Sequence, residues 1–390
     1  MSAQRIARGQ RGFSLVELMI SIVIGMLALV FATRLMTSAE RNRQAALGGS
    51  ESMQNGMQAL FAINKDAAQT GWGLNDPLVT GCDTVLSDTG GFALATAKRG
   101  TDNVTPLAPA LIESSNGGPD RLSLYAGSSI TGTGAVGLSA DYTSGGATLQ
   151  VDRIPFGFTT GDAIVVVPES GGRCAIAQIA AIPTPEDNVQ LFSIAASEAN
   201  RFNGENGLGA SYKAGAARVM NLGPAATLAL HTWSVENNFL MLRATDMAGT
   251  AATGKAVIGN IVSLKAQYGF DTRSGFDPEQ GMQVSEWSPA MIDADGDGVV
   301  GNAGDYQRIA SLRIAIIARS KEPERPGSDG KCHASPDSTV TVFATENPKG
   351  VAAVPMDAVL GSGEDAKCYR YRVFESIVPL RNLAWRPTAL

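Results

Sequence analysis

The chain has 390 residues, 44% of them hydrophobic and 17% charged, enough to bury a core in one large or two small domains. Its formal charge of −6 argues against nucleic-acid contact through the bulk of the chain, because duplex affinity rests mainly on neutralising phosphates. No basic tract follows Arg43, and removal of the first dozen residues, with Arg5, Arg8 and Arg11, would take the charge from −6 to −9.

The amino terminus orders its chemistry unusually. Three arginines precede Gly12-Phe13-Ser14-Leu15-Val16-Glu17, and an uncharged apolar run extends from Leu18 to Thr33. Residues 13–33 would form a helix of about 31 Å, long enough to cross a bilayer core, with the basic side retained in the cytoplasm. A secretory signal would place a small-residue cleavage site beyond the apolar core, and none is found there. Cleavage on the near side, between Gly12 and Phe13, fits better. Glu17 is the anomaly, since a carboxylate in hydrocarbon costs a few kcal/mol and is kept for a partner. After cleavage that partner would be an amino terminus, its own or a neighbour's.

From residue 34 to 66 there is no proline, and Met53, Met57, Leu60, Phe61 and Asn64 recur at helical spacing. The helix is expected to continue to about residue 75, with that Met/Leu/Phe stripe packed on a head. Gly48-Gly49 weakens it by about 1 kcal/mol per glycine, which makes a bend or a melted turn plausible there. Asp76-Pro77 and Gly81-Cys82 mark the exit. Beyond it, apolar β-formers separated by Gly, Ser, Asn and Asp clusters predict strands at 121–125, 147–152, 163–167, 175–182, 189–194, 228–235 and 239–243. The expected fold class is α+β: a leader at 1–12, a long helix at 13–75 (transmembrane over 13–33), and a β-rich head at 76–390.

Cys82, Cys174, Cys332 and Cys368 all lie beyond the span, in a compartment where disulfides persist. Four cysteines allow three pairings, and sequence alone does not choose. Cys332 with Cys368 and Cys82 with Cys174 is favoured because the former pair brackets a Pro/Gly-rich excursion, where closure is worth roughly 3–4 kcal/mol.

Asp293-Ala294-Asp295-Gly296-Asp297-Gly298 alternates hard oxygen ligands ahead of a tight turn, as a calcium loop requires. It matches only the first half of an EF-hand, because Gly304 stands where the closing glutamate would be. Asp305 and the Val299 carbonyl are the candidates to complete a Ca2+ set; the alternative is a solvated acidic turn. Catalytic patterns are weak: His231 sits in an apolar run, read as a core or edge-strand position, His333 follows Cys332 in a loop, and neither belongs to a metalloprotease or nucleophile motif. No enzyme is expected.

The string Gly12-Phe13-Ser14-Leu15-Val16-Glu17-Leu18 resembles the class III leader and processing site of type IV pilins and type II secretion pseudopilins. The resemblance implies that a prepilin peptidase cuts after Gly12 and methylates Phe13, and that Glu17 guides assembly. Further pieces are similar to the PilW type of minor pilin. Asp66-Ala67-Ala68-Gln69-Thr70-Gly71-Trp72 resembles its end-of-helix segment, with Thr70 an alteration, and Tyr268-Gly269-Phe270-Asp271 a strand end. Asp305-Tyr306-Gln307-Arg308-Ile309 leading into Ser311–Ser320 resembles its most recognisable strand, although the family usually has tryptophan at the place of Tyr306. Tyr371-Arg372-Val373-Phe374 and Val378–Asn382 resemble its closing strand. The likeness implies a minor pilin in a priming or tip complex, with other minor pilins, the major pilin and a tip adhesin as partners. It implies a single inner-membrane pass with a periplasmic head before assembly, and residence in the pilus fibre or tip afterwards. A type II secretion pseudopilin is the alternative, although the large tip pseudopilin typically lacks the acid at Glu17; a membrane-tethered periplasmic hydrolase is a weaker one, for want of a convergent site.

Overall fold

The computed structural model describes residues 14–129, 134–185, 189–274, 281–335, 337–361 and 364–384, so Gly12 and Phe13 lie outside the described residues. Two compact units are present, residues 1–51 and 52–390. The architecture is α+β.

Helix α1 runs unbroken from Leu15–Gln69, 55 residues. Gly48-Gly49 does not bend it into a separate element, because two glycine penalties are small beside the cooperative gain of extending a long helix. It stops at Gln69, short of residue 75, for a local reason. Gly71 adopts φ +81° and Gly73 φ +69°, conformations that glycine enters without a Cβ clash. The Thr70 hydroxyl donates to the Tyr125 carbonyl at 2.9 Å, and the Gly71 N–H to the same oxygen at 2.8 Å.

Within the second unit, the helical stripe that packs differs from the one predicted. Ser52, Ala59, Ile63 and Ala67 are fully buried, whereas Met53, Met57 and Phe61 are 48%, 55% and 72% exposed. Beside Gly56 the sheet approaches closely enough to leave room only for a small residue. At Gly56 a Cβ would lie 2.1 Å from the Phe374 ring. Leu60 packs against the core partly buried, and the Asn64 amide donates to Ser376 Oγ at 3.0 Å.

The head opens with β1 (Cys82–Leu86), the hairpin β2 (Ala97–Arg99) and β3 (Asp102–Val104), short β4 (Pro106–Leu107), and the antiparallel pair β5 (Ala110–Glu113) and β6 (Arg121–Ala126). The chain then leaves that pair and builds β7 (Ala135–Gly137), β8 (Thr148–Val151), β9 (Asp162–Pro168), β10 (Cys174–Gln178), β11 (Gln190–Ser193) and β12 (Ala217–Pro224). Strands β7, β12, β9 and β10 are successive neighbours. Bridges at Leu138–Val151 and Ala181–Ser193 join them to the β8–β11 pair and close a small barrel.

This barrel has its own interior, including Val136, Leu149, Val151, Ile164, Val166, Phe192 and Val219. The opposite face of the same strands, through Val165, Val167, Ile176, Met220 and Leu222, belongs to the main core. Burial on both faces explains why β9 reads Ala-Ile-Val-Val-Val without alternation.

On its return the chain forms β13 (Ala229–Glu236), which pairs with β6, so the barrel is an insertion between two adjacent strands. An Asn237-Asn238 turn, with φ 51° and 64°, leads into β14 (Phe239–Ala244), as a tight hairpin with two left-handed residues requires. Edge strand β15 (Lys255–Gly259) completes this sheet.

A second sheet has the order β17-β16-β18-β21. Its members are β16 (Ile261–Phe270), β17 (Glu286–Ser288), β18 (Ile309–Arg319), which follows helix α2 (Ala303–Gln307), and, beyond the hairpin β19 (Thr339–Val342) and β20 (Met356–Val359), the closing strand β21 (Tyr371–Pro379). Gly56 and Asn64 of α1 meet one face through Phe374 and Ser376. Val262, Ala315 and Ile317 on the other face pack with Val342, Phe343 and Ala358.

Helix α3 (Arg381–Ala384) ends the described chain, and the Asn382 amide donates to the carbonyls of Gln69 at 3.0 Å and Thr70 at 3.1 Å. The disulfides are Cys82–Cys174, tying β1 to β10, and Cys332–Cys368.

Candidate functional site

At the start of α1, the Ser14 N–H points to Glu17 Oε2 at 3.4 Å, the reach-back half of an S-x-x-E capping box that uses the acid to cover an orphan donor of the first turn. Residues Leu15–Glu40 form a stretch with mean hydropathy 2.6, long and apolar enough to cross a membrane. Leu15, Val23, Leu29 and Phe31 are exposed along it. Three hydroxyls inside it bond to its own backbone: Ser21, Thr33 and Thr37 donate to the carbonyls of Glu17, Val30 and Arg34 at 2.7, 2.9 and 2.9 Å. Hydroxyls that bond to the helix's own backbone cost little to place in lipid, which leaves Glu17 as the costly group ahead of the apolar run.

The acidic turn divides its candidate ligands. Asp293, Asp295 and Asp297 each present a carboxylate oxygen, all within 4.8 Å of one another. Gly296 at φ +79° and Gly298 at φ +88° permit the reversal. Asp293 also accepts the N–H groups of Gly296, Asp297 and Gly298 at 2.8, 3.1 and 2.9 Å. Exposed Val299 donates its N–H to Asp297 Oδ1 at 2.8 Å.

Asp305 is not gathered with these three. It is fully buried, and its two oxygens accept the N–H groups of Ala294 at 2.5 Å and Gly301 at 2.7 Å. Burial pushes its carboxyl pKa up, against the pull of those N–H groups. It staples the turn from inside, where sequence spacing had suggested a ligand. The Arg99 guanidinium holds the turn's far flank by donating to the Gly301 carbonyl at 3.0 Å and to the Gly81 carbonyl.

A second cluster escapes sequence reasoning. His231 is neither a core nor an edge residue: β13 is central in its sheet, and the imidazole lies between two acids. Its Nδ1 meets Asp66 Oδ2, and its Nε2 meets Asp246 Oδ1, both at 2.8 Å. The Trp233 indole donates to the same Asp66 oxygen at 2.8 Å. Burial alone would depress the imidazole, but the hydrogen bonds and charges of Asp246 and Asp66 outweigh it and raise its pKa to about 9. The doubly protonated ring thereby fastens the last turns of α1 to the sheet. The only hint in sequence is the acid preceding the Gly71-Trp72 turn.

A long apolar N-terminal helix followed by a β-rich head is a pilin-like arrangement, and the comparisons agree. Residues 7–33 match the family model described as the prokaryotic N-terminal methylation motif, and residues 229–382 the one described as type IV pilus-assembly protein W. These two matches support a type IV pilus minor pilin of the PilW type. No curated protein matches it. Among solved structures it is similar to a type IV-like pilin from Thermus thermophilus, at 15% identity, over 58% of this chain and 86% of that one, with a TM-score of 0.19, too low for that likeness to carry an argument.

Proposed function

We propose that the chain is a structural, non-catalytic subunit that waits in the inner membrane with its head in the periplasm, then joins a priming or tip complex of the pilus. Prepilin peptidase would cut between Gly12 and Phe13 and methylate Phe13. Lateral packing of helices follows, with Glu17 meeting an amino terminus while the head selects neighbouring minor pilins, the major pilin and a tip adhesin. The observation that carries the reading is the Glu17 carboxylate in the first turn of α1, directly ahead of the uncharged apolar run from Leu18 to Thr33, a cost that a cationic partner would offset. The exposed Met53, Met57 and Phe61 supply further apolar surface for that packing.

The test is Glu17→Ala in the full-length chain, scored by its recovery in sheared pili. Loss of incorporation with normal membrane levels is expected, and normal assembly would sink the reading. In parallel, Gly12→Val should leave the leader attached, seen by intact mass.

The turn at Asp293, Asp295 and Asp297 is proposed to take Ca2+. Three carboxylates within 4.8 Å, with no Lys or Arg ion pair to any of them among the described residues, repel one another unless a cation intervenes, and millimolar extracellular calcium fills even weak sites. The residues fit oxygen ligation, with Val299 as a further carbonyl candidate. Melting of the full chain in detergent should rise in Ca2+ relative to chelator. The rise should vanish in Asp293→Ala/Asp297→Ala; equal melting in both conditions refutes the site.

A further inference from the structure

The head manages its sheet edges unequally. An unpaired edge strand offers a row of N–H and C=O groups to any passing chain, and soluble proteins blunt such edges by keeping them short, bulged or covered. Strand β17 has three residues, β5 four, and β15 five with a register shift in its pairing. Strand β21 is the exception: nine residues, paired with β18 in unbroken register from Ser311–Pro379 to Arg319–Tyr371.

The hydrogen-bond phase of β21 is fixed at its two ends. Leu380 N–H donates to the Ala310 carbonyl at 3.0 Å, and Ser320 N–H to the Arg370 carbonyl at 2.8 Å. Antiparallel pairing alternates bonded and non-bonded pairs, so Arg372, Phe374, Ser376 and Val378 address β18. The N–H groups of Tyr371, Val373, Glu375 and Ile377 point away from it, and they have no acceptor among the described residues. Arg372, Val373 and Glu375 are exposed, so the described residues leave this edge uncovered.

We propose that β21 is a strand-addition site, where an extended segment of another fibre subunit pairs edge-on and continues the β17-β16-β18-β21 sheet. The side chains define the partner. On one face it runs beside Tyr371, Val373 and Ile377, around a Glu375 already engaged by the Phe343 N–H at 2.8 Å and by Arg313 at 3.5 Å. That row calls for apolar residues at alternate positions. On the other face lies Arg372, exposed and without an ion pair among the described residues, which calls for a carboxylate. The inference goes beyond the pilin role itself, which requires no such pairing.

Proline separates the two edges of the strand. Val373→Pro and Ile377→Pro each remove an outward N–H while sparing the β18 ladder, a placement that edge strands tolerate. Phe374→Pro breaks a ladder bond and is the control for the phase. In the full-length chain, melting in detergent should survive the first two changes and fail in the third. Recovery of the chain in sheared pili should drop about tenfold in Val373→Pro and Ile377→Pro, as losing one or two such bonds implies. A photoreactive residue at position 372, irradiated in intact pili, should crosslink to one contiguous segment of another subunit. Undiminished recovery of folded Val373→Pro or Ile377→Pro overturns the proposal and leaves the pilin role standing. So does a crosslink found only to lipid, or only to a second copy of this chain. If both outward variants fail to fold, the crosslink alone decides.

Discussion

Asp66 and Asp246 hold His231 as an imidazolium, with a stability consequence that can be measured. Because its folded pKa, about 9, exceeds the unfolded value near 6.5, the contribution is fully present below about pH 6.5 and is lost as pH rises through about 9. Its size is on the order of 3 kcal/mol. Melting of the chain should therefore fall between pH 6.5 and 9, and His231→Asn should flatten that slope; an unchanged slope would mean the ring is not charged in the native state. A more deeply buried pair, Lys265 with Asp120 at 2.8 Å, has both side chains at 1% exposure or less. Asp120 also accepts the N–H groups of Ser115 and Ala266, and Lys265 donates to the Ser115 carbonyl. Asp120→Ala should cost about 3–5 kcal/mol in denaturant unfolding, since it strands a buried ammonium, whereas Asp120→Leu/Lys265→Met should recover most of the loss. Neither node was legible in the sequence. His231 lies 165 positions from Asp66, and Lys265 145 from Asp120, and no local period links residues so far apart.

The strands show what local pattern can and cannot reach. Those expected at 121–125, 163–167 and 239–243 appear as β6, β9 and β14 with edges moved by a residue or so, because β-branched and apolar runs bounded by turn formers carry their own signal. Helix α1 was legible in its existence but not in its seated face. Hydrophobicity pointed to Met53, Met57 and Phe61, but the seated face is the one through Ile63 and Gly56, and the sheet approaches so closely at Phe374 that Gly56 is limited by side-chain volume. Gly56→Val tests this directly. Its added atoms would overlap the Phe374 ring, costing about 1–3 kcal/mol, and Phe374→Ala should relieve part of that cost in a double-mutant melting cycle.

Across the whole molecule, the matched and unmatched stretches have a physical division. The W-type match at 229–382 covers the strands from β13 to β21, the two-sheet frame apart from β5 and β6. The barrel strands, β7 to β12, precede it and enter as an insertion between β6 and β13. The Cys82–Cys174 bridge ties the barrel to the frame across a separation of 92 residues, and Cys332–Cys368 closes one of 36. Loop-closure entropy ranks them at roughly 4–5 and roughly 4 kcal/mol. Cys82→Ala/Cys174→Ala should therefore lower the unfolding midpoint somewhat more than Cys332→Ala/Cys368→Ala, and the reverse order would show that native contacts outweigh chain entropy here.

The clasp of Asn382 on the carbonyls of Gln69 and Thr70 sets a timetable. A ribosome delivers the helix first and its C-terminal cap more than three hundred residues later, so the end of α1 has no finished seat until Asn382 has been made. A chain that stops before position 382 would keep the whole apolar helix, yet lack the bond that finishes its head.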